Sequence, residues 1–146
     1  MRSKLPHVAR ILLGLPFLAF GINYFVPFMP VPPHAGAAAT FLGGLAASGF
    51  VFPLMKLTEI AAALMLLSNR FVAFALVLLA PIVVNIVGFH TITEPTLVPV
   101  HWIIATLGIY LAYVNRAAYK PLFESSEQAR DASAPIAPGR RAPATG

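Results

Sequence analysis

The chain contains no cysteine. A disulfide, a redox dithiol and a cysteine-held metal or iron–sulfur centre are therefore excluded within it. Charge is scarce as well. Of 146 residues, 10 are Lys or Arg and 5 are Asp or Glu, so 10% are charged, against about 25% in soluble domains. That is too little to solvate a water-facing surface, and it excludes an ordinary soluble domain. Apolar and polar residues do not alternate at period two, which argues against a transmembrane β-barrel. Reaction motifs are missing too: there is no phosphate-binding loop, metal-ligand spacing or nucleophile elbow. Gly43-Gly44 and Gly49 lack the following Lys and the strand context of a phosphate loop.

What the chain does have is apolar. Hydrophobic residues make up 58% and mean hydropathy is +0.79, the composition of a membrane protein. Four segments, approximately 8–28, 51–67, 71–89 and 100–114, are candidate spans. The second and fourth are short beside the roughly 17 to 25 residues of a spanning helix. The expected architecture is an all-α integral membrane protein, a four-transmembrane-helix bundle over residues 1–123. The basic N-terminus resembles a signal peptide, but the apolar run from Ile11 to Phe28 is longer than the roughly 7 to 15 residues of a signal core. An uncleaved anchor is expected. In the first outer loop, MPVPPHAG reads as non-helical and AAATFLGGLAASGF as a short interfacial helix. Residues 124–146, rich in Ser, Ala, Pro, Gly and Arg, read as a disordered cytoplasmic tail. Pro81, inside the third span, predicts a kink because Val77 loses a hydrogen-bond donor.

Basic residues set the expected orientation. Arg2, Lys4 and Arg10 precede or open the first span, Arg70 lies in the Ser68-Asn69-Arg70 turn, and Arg116 and Lys120 follow the fourth. The loops Met29 to Gly49 and His90 to Pro99 hold no Lys or Arg. By the positive-inside rule both termini are cytoplasmic. The same placement accounts for much of the net charge of +5 and makes nucleic acid an unneeded partner. Trp102, Tyr110, Tyr113 and Tyr119 fit interfacial aromatic belts.

Polar residues inside the spans share a depth. Lys56 lies roughly 7 Å and Glu59 roughly 12 Å below the outer end of span two, at 1.5 Å per residue. Asn23 and Tyr24 fall in the outer third of span one, Asn85 in that of span three, and His90 and His101 at outer ends. Glu94 lies in the loop between. This pattern predicts one polar cluster of Asn23, Tyr24, Lys56, Glu59, Asn85, His90 and His101, facing the bundle interior and opening outward.

Each member also has a plainer reading. Lys56 can snorkel to the headgroups. Glu59 is too deep and too short for that, so it is paired, hydrogen-bonded or protonated. A Lys56–Glu59 pair is either structural or the seat of a proton-transferring carboxylate. Asn23 and Asn85 are expected to hydrogen-bond between helices. His90 and His101 are interfacial histidines, haem or metal ligands, or a proton exit near Glu59.

The segments ARILLGLPFLAFGINYF and FLGGLAASGFVFPLMKLTEIAAALMLLSNRFVAFALVLLAPIVVNIVGFH resemble the DoxX-like family of small four-span membrane proteins. The likeness covers about Arg10 to Phe123. It rests on the Gly-containing first span, Lys56 and Glu59 in the second, the Asn69-Arg70 turn and the Pro81–Asn85 third span. Where such first spans often carry a Lys, this chain has Asn23-Tyr24. The resemblance implies a bacterial inner (plasma) membrane protein that serves a quinone-linked redox system as an accessory subunit. A membrane or peripheral oxidoreductase would be its partner, and Glu59 would transfer protons. A homo-oligomer is also compatible. A scaffolding protein without chemistry is the alternative. A small transporter is disfavoured by the nearly bare inner half of the spans.

Overall fold

Local chemistry sets each helix boundary in the computed structural model, which describes residues 4–93 and 99–123. Helix α1 (Leu5–Phe25) carries Pro6 in its first turn, where a missing N–H leaves nothing unsatisfied. It stops short of Pro27, because the residue before a proline is pushed out of helical geometry; Val26 sits at φ −129°, ψ 88°. The first span therefore lies earlier in the chain than the expected 8–28.

Helix α2 (Gly36–Ala47) is the helix expected in the first loop. It meets α3 (Val51–Leu67) at a 91° bend. Gly49 supplies the left-handed residue there, at φ +73°. The Ser48 hydroxyl joins the two ends by donating to the Leu45 carbonyl (2.6 Å) and accepting from the Val51 N–H (3.1 Å). At the far end of α3 the Arg70 N–H donates to the Met65 carbonyl (3.0 Å) and the Asn69 N–H to the Leu66 carbonyl (3.2 Å). Asn69 is left-handed at φ 57°, the usual way to close a helix with a Gly or Asn.

Helix α4 (Val72–Gly88) remains one helical element through Pro81. It passes into a wider π turn at Phe89–Thr93. Helix α5 (Val100–Val114) matches its expected bounds, as does α3. The chain divides into two units, Met1–Arg116 and Ala117–Gly146. In the second, the described residues through Leu122 continue a 3₁₀ turn that begins at Arg116. Glu94 and the expected tail, 124–146, fall outside the described residues.

Within the first unit α1 packs on α3, α3 on α4, α4 on α5, and α5 back on α1, closing a four-helix bundle. Its core is Leu13, Phe17, Leu66, Leu76, Leu79, Ile82 and Leu111, with Ala9, Ala62, Ala63 and Ala75 where helices come close. A Cβ on Gly21 would stand 2.7 Å from Ile60 Cγ1 and 3.4 Å from the Lys56 carbonyl; one on Gly14 would stand 3.0 Å from Leu67 Cγ. Gly14 thus faces the end of α3 and Gly21 its start, so the two helices run antiparallel. Small residues at such contacts let backbones approach, the usual means of joining helices in lipid.

Large apolar residues cover the outside, among them Phe20, Leu57, Phe74, Val84 and Ile109. A surface of this kind belongs in a bilayer. Leu5–Phe25 and Val72–Thr93 are long and apolar enough to cross one. The chain is a helical integral membrane protein. By the same measure α3 reaches span length only together with α2 across the bend, and α5 is a shorter apolar helix of 15 residues.

Candidate functional site

The antiparallel bundle sets Asn23, Asn85, His90 and His101 towards one end, with Lys56 and Glu59 between that end and the middle of α3. It does not join them into one cluster. Three separate arrangements stand there instead.

The first is the ion pair. The Lys56 ammonium lies 3.0 and 2.8 Å from the two carboxylate oxygens of Glu59. Residues three apart on a helix share a face, which makes the contact possible within α3. The two side chains differ in access: Lys56 is 18% exposed and Glu59 3%. Glu59 is the sole carboxylate among the described residues. Tyr24 stacks on Phe52 at a ring separation of 6.0 Å beside the start of α3, but it is exposed rather than turned inward.

The second arrangement corrects the expectation that Asn23 ties helices together. Asn23 is buried, and it holds the loop that leaves its own helix. Its side-chain oxygen accepts from the Phe28 (2.8 Å) and Met29 (2.7 Å) N–H groups, and its amide donates to the Met29 carbonyl (3.2 Å). Once Pro27 ends the helix, the backbone beyond needs partners, and Asn23 supplies them. Asn85 is corrected likewise. It is exposed, and its amide donates to the Pro81 carbonyl of its own helix (3.0 Å). A polar side chain on an apolar surface satisfies itself on the nearest carbonyl one turn back.

The third is the histidine pair. The rings of His90 and His101 stack at 5.4 Å with an 11° interplanar angle. His90 Nδ1 lies 2.9 Å from the Ile86 carbonyl. A carbonyl only accepts, so Nδ1 carries the hydrogen in this contact. His101 is 6% exposed, and its Nδ1 is buried without a partner among the described residues. Phe89 adds a ring contact to His90 at 5.1 Å, and Phe41 lies 5.9 Å from Phe89. No group of three or more potential ligands gathers as a metal centre among the described residues.

A groove of about 240 Å³ beside this end is lined by Phe41, Val84, Asn85, Gly88, Phe89, Ile92 and Thr93. It is smaller than the roughly 300 to 1,000 Å³ of most closed ligand pockets, and neither Lys56 nor Glu59 lines it.

Arg10 was expected at the flank of the first span. It lies inside α1 and is 7% exposed. The spacing Arg10, Gly14, Phe17, Gly21 is a single helical stripe, and it was the available signal that Arg10 turns inward. Its positive charge argued instead for a flank.

Compared with known proteins, the chain matches no protein-family model, no curated protein and no solved structure.

Proposed function

We propose that the chain is a DoxX-like accessory subunit of a quinone-linked redox system in the bacterial inner membrane. In this reading α1, α3, α4 and α5 all cross the bilayer, with both termini cytoplasmic and α2 at the outer interface. Helices α3 and α5 are about 25 and 22 Å long, short of a hydrocarbon core of about 30 Å. Local thinning and flanking residues accommodate such mismatch. Lys4, Arg70 and Arg116 stand at the same end of the antiparallel bundle, which supports the orientation.

The observation that carries the functional reading is the Lys56–Glu59 pair: a buried carboxylate whose ammonium partner still reaches the surface. Reducing a quinone to a quinol takes two electrons and two protons. The chain has no cysteine to pass electrons, so the reading assigns them to a partner oxidoreductase. Glu59, once protonated, gives one proton to the reduced quinone oxygen, Lys56 offsets the charge left on the carboxylate, and water supplies the second proton.

The test is extraction of quinone from the purified chain and its Glu59→Gln form. Bound quinone should accompany the native chain, and Glu59→Gln should slow quinone reduction in membranes holding the partner. Absence of quinone, with redox phenotypes intact in Glu59→Gln, would sink the reading.

One feature favours a scaffold instead: Asn23, Asn85 and the Lys56–Glu59 pair each close on their own segment. Under that reading Glu59→Gln alters stability or partner recovery and leaves quinone reduction unchanged.

A further inference from the structure

Arg10 is a buried charge with no answering group among the described residues. It shares the buried stripe of α1 with Gly14, Phe17 and Gly21. Gly14, one turn further on, faces Leu66 and Leu67. Because α1 and α3 are antiparallel, Arg10 stands level with the end of α3 and its Asn69 cap. Its guanidinium makes no hydrogen bond among the described residues, and Nη1 is fully buried. A buried charge is among the costliest groups to leave unpaired.

The described structure holds no internal partner for it. Glu59, the sole described carboxylate, is bound to Lys56 and lies about 15 Å along α3 from Asn69. Lys4 and Arg70, at Arg10's own end, are exposed and carry the same sign. The Leu64, Met65 and Leu66 carbonyls at the end of α3 accept from Ser68, Arg70 and Asn69, and Nη1 of Arg10 reaches none of them. The missing partner is therefore an anion from outside these elements.

We propose that Arg10 anchors a site for a phosphate oxyanion, supplied by the phosphodiester of an anionic phospholipid at the basic end of α1 and α3. Three observations favour the lipid as the source. Arg10 lies about 7.5 Å along α1 from Leu5, near the headgroup level of a helix that starts at the interface. Leu5, Val8, Ile11 and Leu12, on the outer side of the same turns of α1, are exposed and apolar, a surface for acyl chains at the level of Arg10. Lys4 and Arg70 add the positive field that selects an anionic headgroup. The planar guanidinium matches two phosphate oxygens, which a lysine cannot do. This inference rests on the bilayer setting alone and is independent of the quinone reading.

The test uses the full chain in detergent, with phosphatidylglycerol, phosphatidylcholine or inorganic phosphate added. Native mass spectrometry and thermal unfolding are the readouts. The native chain should retain a phosphatidylglycerol molecule and gain melting temperature with that lipid, but not with phosphatidylcholine or inorganic phosphate. Arg10→Gln should weaken retention by about tenfold or more, and Arg10→Lys should fall between. If Arg10→Gln does not fold, the Arg10→Lys result and the lipid selectivity of the native chain decide. Equal retention by native chain and variants overturns the proposal, as does an equal response to inorganic phosphate. A chain carrying Glu124→Gln, Glu127→Gln and Asp131→Asn should keep the lipid response. If it instead loses as much stability as Arg10→Gln in lipid-free detergent, the anion is the chain's own and the proposal falls.

Discussion

Lys56 and Glu59 form a two-pronged ion pair within one turn of α3, with Nζ 2.8 Å from one carboxylate oxygen and 3.0 Å from the other. The two partners are not equivalent, because the ammonium reaches the surface and the carboxylate does not. Lys56→Met strands Glu59 in an apolar interior and should cost about 3 to 5 kcal/mol. Glu59→Gln should cost less, since Lys56 can turn towards the interface. Replacing both with apolar residues should recover much of the loss. Unfolding in mixed detergent measures all three, and equal losses for the two single variants would contradict the asymmetry.

Asn23→Ala removes the acceptor of the Phe28 and Met29 N–H groups. A loss of about 1 to 3 kcal/mol is expected for leaving such groups unsatisfied. Hydrogen exchange at those two amides should rise selectively. Asn85→Ala should change stability by under about 1 kcal/mol, because its hydrogen bond is exposed and within its own helix.

Gly21 and Gly43 separate two effects of the same substitution. At Gly21 a methyl group would meet Ile60 at 2.7 Å, while at Gly43 nothing lies within 4 Å. Gly21→Ala should destabilise by about 1 to 3 kcal/mol through overpacking against α3. Gly43→Ala, inside α2, should be neutral or stabilising by up to about 1 kcal/mol. Thermal unfolding of the two variants is the measurement.

The left-handed cap at Asn69 makes a backbone prediction. Asn69→Gly should preserve stability, and Asn69→Val should lower it by about 1 to 2 kcal/mol, since a β-branched residue resists that geometry. A larger loss for Gly than for Val would refute the assignment of the cap.

Crossing of the bilayer by α3 can be read directly, since a chain without cysteine accepts single reporters. Ser48→Cys and Ser68→Cys flank α3 and should label from opposite sides of sealed vesicles. Labelling of both from one side would mean that α3 dips into the membrane and returns.

The bounds of α3 and α5 were legible because apolar runs and the turn residues around them are local signals. The end of α1 was misjudged because the apolar run continues through Val26 and Phe28, while Pro27 between them decides the backbone. The rough level of each polar residue along its helix was also legible, since it follows from residue count and alternating helix direction. Their separation into an ion pair, a loop clasp and a stacked histidine pair was not. Depth states the level of a side chain and leaves its rotation about the helix open.

By itself the amino-acid sequence determined that this is a helical membrane protein and roughly where its helices run, because hydrocarbon solvates apolar side chains and only hydrogen-bonded backbone. Tertiary structure decided which way each polar group turns. Asn23 faces its own loop and Asn85 its own helix, His101 lies buried against His90, and Arg10 points inward where its charge argued for a flank. Those outcomes depend on which neighbour each helix face meets, and that is a property of the packed bundle.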